Sequence, residues 1–178
     1  MKNLALFFLL ISLLATSANA QKKYVPKRGD YTFRTQVCTS VDEDGDSVVD
    51  SIITYVTNKK GTYTLVSHPL PLNPEQWTGF GDIVEDDINF DGIPDLMICL
   101  GPINAFGGFT YDGYVWNPKR NKFIQVEDFN LIMDPEFDKK HKTITGTYRV
   151  DNEFEVSTYK LKNNKALLIK STRFTEKE

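Results

Sequence analysis

The chain has 178 residues, 40% of them hydrophobic and 25% charged, with a formal net charge of −3. That composition supports one globular domain with a real core and excludes a disordered or fibrous chain. A mildly acidic sequence with no run of basic residues argues against nucleic acid or anionic lipid as the main partner.

Residues 1–20 read as a leader rather than as part of that domain. Lys2 supplies the positive start, residues 4–14 are almost unbrokenly apolar, and Ala18 and Ala20 put small residues at a cleavage site before Gln21. The apolar run is shorter than the roughly 20 residues that span a bilayer, and no cysteine follows it for lipid attachment. The expectation is an exported protein, periplasmic or secreted, with no transmembrane segment in the mature chain. Residues 21–30, polar and basic around Pro26 and Gly29, read as a flexible lead-in.

Residues 31–41 alternate as a strand, with Tyr31, Phe33, Thr35, Val37 and Thr39 on one face. A second strand covers 47–56, and the acidic turn between them holds Asp42, Asp44 and Asp46. With Asp50 these carboxylates alternate as a metal loop would, but Gly45 falls too early, and a solvated hairpin tip is the better reading. Asn58-Lys59-Lys60-Gly61 is a further hairpin turn leading to a strand over 62–67. Pro69, Pro71 and Pro74 then remove ladder donors, so residues 68–80 form an irregular crossing connection with Trp77 and Phe80 anchored in the core.

Residues 81–85 lead into the richest stretch of the chain. Asp87, Asn89, Asp91 and Asp95 occupy relative positions 1, 3, 5 and 9, Gly92 supplies a turn at position 6, and Ile93 offers its backbone carbonyl at position 7. Clustered carboxylates repel one another unless a cation sits among them, and a donor set of hard oxygens without His or Cys favours calcium. Position 12 is Ile98 rather than Glu, so this is not an EF-hand. Residues 96–100 leave the loop as a buried central strand.

After Gly101-Pro102, residues 109–116 form an aromatic strand whose Phe109, Tyr111, Tyr114 and Trp116 are candidate binding residues if alternation leaves one pair facing outward, although most of them read better as ordinary core and surface strand residues. A turn at 117–121 leads to a strand over 122–126. Residues 127–142 lack alternation and contain Pro135, which reads as a surface loop or extended connection, with 134–141 a second candidate contact. Strands over 143–150, 154–161 and 166–173 follow, joined by turns, and 175–178 is a tail. No convincing amphipathic helix occurs in the mature chain. The expected fold is one all-β domain over 31–174, with antiparallel hairpins and meanders forming blade-like sheets, or a β-sandwich.

Two features bear on chemistry by what they lack. His68 and His141 lie near no nucleophile elbow or zinc spacing, so the chain reads as a non-enzyme. Cys38 and Cys99 sit in strands and either pair in an oxidising compartment or stay as buried thiols.

Gly81-Asp82-Ile83 followed by residues 87–96 resembles the calcium-loop signature of FG-GAP-type repeats. Phe109, Tyr111, Tyr114, Trp116, Lys122-Phe123, Asp134-Pro135, Asp138 and the last three strands extend the likeness to small exported bacterial FG-GAP-related proteins. The resemblance covers about residues 80–174. Phe90 replaces the small residue usual between ligands, and one loop copy rules out the full repeated propeller. The resemblance implies a reduced, blade-like fold and a non-catalytic binding role. The partner it implies is a protein such as a cell-wall hydrolase that the chain inhibits or confers immunity to. The alternative is a cell-envelope carbohydrate- or surface-binding module.

Overall fold

A computed structural model of the chain describes residues 24–103 and 108–175. The leader, its cleavage before Gln21 and the end of the tail lie outside them. The described residues form strands β1 (Thr32–Val41), β2 (Ser47–Asn58), β3 (Gly61–Ser67), β4 (Ile83–Asp86), β5 (Asp95–Pro102), β6 (Phe109–Asn117), β7 (Lys122–Gln125), β8 (Glu136–Asp138), β9 (Thr143–Val150), β10 (Glu153–Lys162) and β11 (Lys165–Thr175). A single 3-10 turn, Phe129–Leu131, interrupts them. The protein is all-β. Its strands form three antiparallel sheets, ordered β1-β2-β3, β4-β5-β6-β7 and β8-β9-β10-β11. Each sheet is a meander of consecutive strands, so every pairing is closed by a local turn. Among the described residues no helix is long and apolar enough to cross a membrane.

The sheets are stacked, and the second is the middle layer. One apolar cluster joins Val49, Ile52, Val56 and Leu65 of the first sheet to Leu96, Ile98, Leu100, Tyr114 and Trp116 of the second. The other joins Met97 and Val115 of the second sheet to Ile144 and Ala166 of the third. Alternation therefore sends successive residues of β5 into opposite cores, and all eight of its residues are buried. In β2, Val49 and Ile52 are three apart yet share the first core. A bulge at Asp50, where Cys38 pairs with Ser51 but Thr39 with Val49, resets the parity.

Several expectations change on contact with this packing. Residues 127–142 are a surface loop only in part: the stretch up to Met133 is anchored in the core, while 134–142 is largely exposed. Phe129, Ile132 and Met133 are buried, and the segment threads between the second and third sheets. The Asp134 amide donates to the carbonyl of Phe109 at 2.9 Å and the Thr147 amide to that of Met133 at 3.1 Å. Two strand glycines make room: a Cβ on Gly113 would sit 2.6 Å from the Phe129 ring, and one on Gly146 would sit 3.0 Å from Ile132. Residues 24–30 are irregular but docked, with Pro26 buried and Tyr24 edge-on to Trp116. Residues 83–86 form the short strand β4 rather than a mere lead into the loop.

The cysteines are unpaired. Cys38 shares the outer face of the first sheet with Arg34 and Gln36, while Cys99 alternates with Met97 in the middle sheet. Their side chains thus belong to different layers, and burial raises the Cys99 thiol pKa.

A buried polar cluster bridges the first two sheets. Ser67 Oγ lies 3.1 Å from the Tyr114 hydroxyl, and Asp112 is 6% exposed beside them. Burial raises the Asp112 carboxyl above its ordinary 3.8, against bonds from Ser67, Gln125 and Tyr114 and the nearby His68. A folded-state pKa above the unfolded one means the unfolded chain ionises first. Asp112 therefore contributes most below about pH 4, and its contribution falls as pH rises towards the folded-state value. Asp112→Asn is expected to flatten this fall, measured as the difference in denaturant midpoint between the two proteins across pH 4–7.

Candidate functional site: the β4–β5 loop

The acidic loop is the connection of the β4–β5 hairpin, and the pair Asp86 and Asp95 forms its last rung. Like charges directly opposite in a ladder are unfavourable unless something neutralises them. Within the loop, polar and apolar positions alternate. Ile88 is fully buried in the second core and Phe90 packs against it. Asp87, Asn89 and Asp91 therefore carry their oxygens on the other side of the turn.

These oxygens organise the backbone. Asp87 Oδ1 accepts from the Asp91 amide and its Oδ2 from the Gly92 amide, both at 2.9 Å. Asn89 Oδ1 also accepts from Asp91, and Asp91 Oδ1 accepts from the Ile93 amide at 2.8 Å. Such side-chain-to-backbone bonds hold a tight turn in place of ladder bonds. Gly92 has φ of 83°, a left-handed conformation that costs a side chain and so explains the glycine. Phe90 is also left-handed at 63°, and its ring meets Phe137 of β8 edge-on at 6.3 Å. This contact accounts for a bulky residue between the ligand positions: it fastens the loop to the third sheet.

Asp95 differs from the others. It is fully buried, Oδ1 accepts from the Trp116 amide at 2.8 Å, and Oδ2 has no hydrogen-bond partner. Burial pushes its carboxyl up to about 8. The nearby Trp116 and Asn89 amides oppose this, while Asp91 and Asp87 add to it. Among the described residues no three carboxylate, imidazole or thiol groups converge closely enough to hold an ion as they stand, and Asn89 Nδ2 donates to Asp91 Oδ2 at 3.1 Å. The loop's side-chain oxygens are hard donors, and it ends at a buried carboxyl oxygen that has no hydrogen-bond partner.

Tyr114 and Trp116 do not form an exposed platform. Tyr114 and Trp116 are each 3% exposed and belong to the first core, while Phe109 and Tyr111 are half-buried. Trp116 packs against Tyr31 and Phe123. A large aromatic in a strand covered on both faces has no outward side.

The β8–β9 turn was not anticipated beside the loop. Lys139 Nζ lies 3.7 Å from Asp86, and Lys142 Nζ donates to the carbonyl of Phe90 at 3.4 Å. His141 Nδ1 sits 2.6 Å from Asp138 Oδ2 in this exposed turn, and that bond lowers the Asp138 pKa. No local sequence signal joins residues 50 positions apart. The acidic β1–β2 turn is an exposed hairpin tip, with Asp42 Oδ1 accepting from the Asp44 and Asp46 amides.

These features define an all-β protein of three stacked meanders with a buried-ended acidic hairpin loop. A solved structure described as a Xanthomonas Type IV Secretion System related protein shares this fold. The TM-score is 0.53 at 20% identity, over 86% of this chain and 83% of that one. No protein-family model and no curated protein matches the chain.

Proposed function

We propose that the protein is an exported, calcium-stabilised binding protein, without catalysis of its own, that inhibits a peptidoglycan hydrolase. The observation that carries the calcium reading is Asp95 Oδ2, buried and unpartnered at the end of a loop of hard oxygens. Asp87, Asn89, Asp91, Asp95 and the Ile93 carbonyl would hold the ion. It would neutralise the loop's carboxylates and fix the start of β5.

The inhibitory reading is supported by the resemblance to exported FG-GAP-related proteins; the structural neighbour, described as related to a secretion system, adds the shared fold alone. Since Tyr114 and Trp116 of β6 are core residues, the contact surface in this reading is the β8–β9 turn. Lys139 and Lys142 tie that turn to the loop, so an ordered loop presents an ordered turn.

The test is to titrate the purified protein against a muramidase-type enzyme digesting peptidoglycan. A stoichiometric loss of lysis and a stable complex are expected. Retention on insoluble envelope polysaccharide with lysis unaffected would instead establish the carbohydrate-binding alternative and defeat inhibition.

A further inference from the structure

Three segments far apart in sequence meet around one cavity of about 250 Å³, lined by Tyr24, Asp30, Asn58, Lys59, Lys60 and Asn121. They are the docked lead-in, the β2–β3 turn and the β6–β7 turn. Each brings exposed cationic side chains: Lys27 from the first, Lys59 and Lys60 from the second, and Lys119, Arg120 and Lys122 from the third.

The charges are not internally balanced. None of these six takes part in an ion pair among the described residues; the ion pairs there belong to Lys139, His141, Lys165 and Arg173. Among the described residues Asp30 is the one carboxylate lining the cavity; it accepts from the Tyr24 hydroxyl at 2.6 Å and the Lys27 amide at 2.9 Å, and these bonds, with the nearby Lys59 and Lys27 charges, lower its pKa, so one negative charge stands against six positive ones. The turns are built to hold this arrangement. The Asn117 side chain accepts from the Lys119 and Arg120 amides, and the Asn58 side chain from that of Lys60. Tyr63 ties the two turns together, since its hydroxyl accepts from the Phe123 amide and its ring lies under Lys122.

We infer that this end of the molecule docks on an anionic phospholipid surface, with a headgroup phosphate at the Lys59–Lys60 side of the cavity. Unpaired cations fit such a surface, where each contributes favourably within a Debye length. The adjacent Tyr24 and Val25, 43% and 51% exposed, favour lipid over an acidic protein. An amphipathic aromatic beside an aliphatic residue suits the boundary between headgroups and acyl chains. Folding thus gathers a basic surface that no single stretch of this acidic chain displays. The inference is independent of calcium and of hydrolase inhibition.

Co-sedimentation of the whole protein with vesicles decides the matter. Binding is expected to vesicles rich in phosphatidylglycerol but not to pure phosphatidylcholine, with release at high salt. Reversing Lys59, Lys60, Lys119 and Arg120 to glutamate is expected to weaken partition on the order of a hundredfold or more, at roughly fivefold per charge. Reversing Lys140, Lys160, Lys162 and Lys170, exposed residues elsewhere, makes the same change in net charge and is expected to retain most of the binding. Unchanged melting midpoints establish that both variants fold. No preference for the anionic vesicles, or equal loss in both variants, overturns the assignment. Capture by polyglutamate with vesicles ignored overturns it in favour of an acidic protein partner.

Discussion

Phe129→Ala is expected to lower the unfolding free energy by about 3–5 kcal/mol, whereas Leu131→Ala, two residues on, stays within about 0.5 kcal/mol. The two share one 3-10 turn but differ in what surrounds them. Phe129 is fully buried and lies against the backbone of Gly113, while Leu131 is 65% exposed. Removing the ring leaves a cavity between the second and third sheets that β6 and β9 cannot close, because the connector's own hydrogen bonds to both hold them apart. Urea denaturation of both variants gives the comparison. Equal, small losses would return residues 127–134 to the surface and undo the three-layer packing.

That segment also marks where sequence reasoning stops. The strands it identified correctly, such as 96–100 and 109–116, have period-2 patterning or an unbroken apolar run. The 127–134 connector has neither, because it buries Phe129, Ile132 and Met133 from irregular backbone. The signal that does exist is remote: Gly113 and Gly146, each inside a strand, mark where another chain segment approaches. The aromatic face of β6 fails for a related reason. Alternation tells which residues share a side but not whether a second sheet covers it, so Tyr114 and Trp116 look like a platform until the first sheet is laid on them. The turn at 87–95 was readable because its hydrogen bonds are local, with acceptor side chains and glycine in consecutive positions. The basic end was not, since its charges come from segments separated by about thirty to sixty residues.

Calcium is the second large effect, and Asp95 separates its parts. If the loop binds the ion, free calcium a hundredfold above its dissociation constant adds about 2.7 kcal/mol. For a domain of this size that raises the melting midpoint by about 5–10 °C over the protein in chelator. Asp95→Asn keeps an oxygen for the Trp116 amide but loses the carboxylate charge, so at one fixed pH its expected defect is loss of the difference between calcium and chelator. Asp95→Ala also removes that acceptor and leaves the buried Trp116 amide unpaired, which costs about 1–3 kcal/mol more whether or not calcium is present. Asp91→Ala lies between, since it loses a ligand and the Ile93 turn bond at an exposed position. A wild-type midpoint that ignores both calcium and chelator would remove the ion from the site. The loop would then be an ordinary hydrogen-bonded hairpin turn, and Asp95 a buried acid kept neutral by its surroundings. An equal calcium shift in wild type and Asp95→Asn would move the ion elsewhere in the chain. Only a shift present in the wild type and lost in Asp95→Asn supports a loop whose buried end and solvent-side oxygens act on one ion.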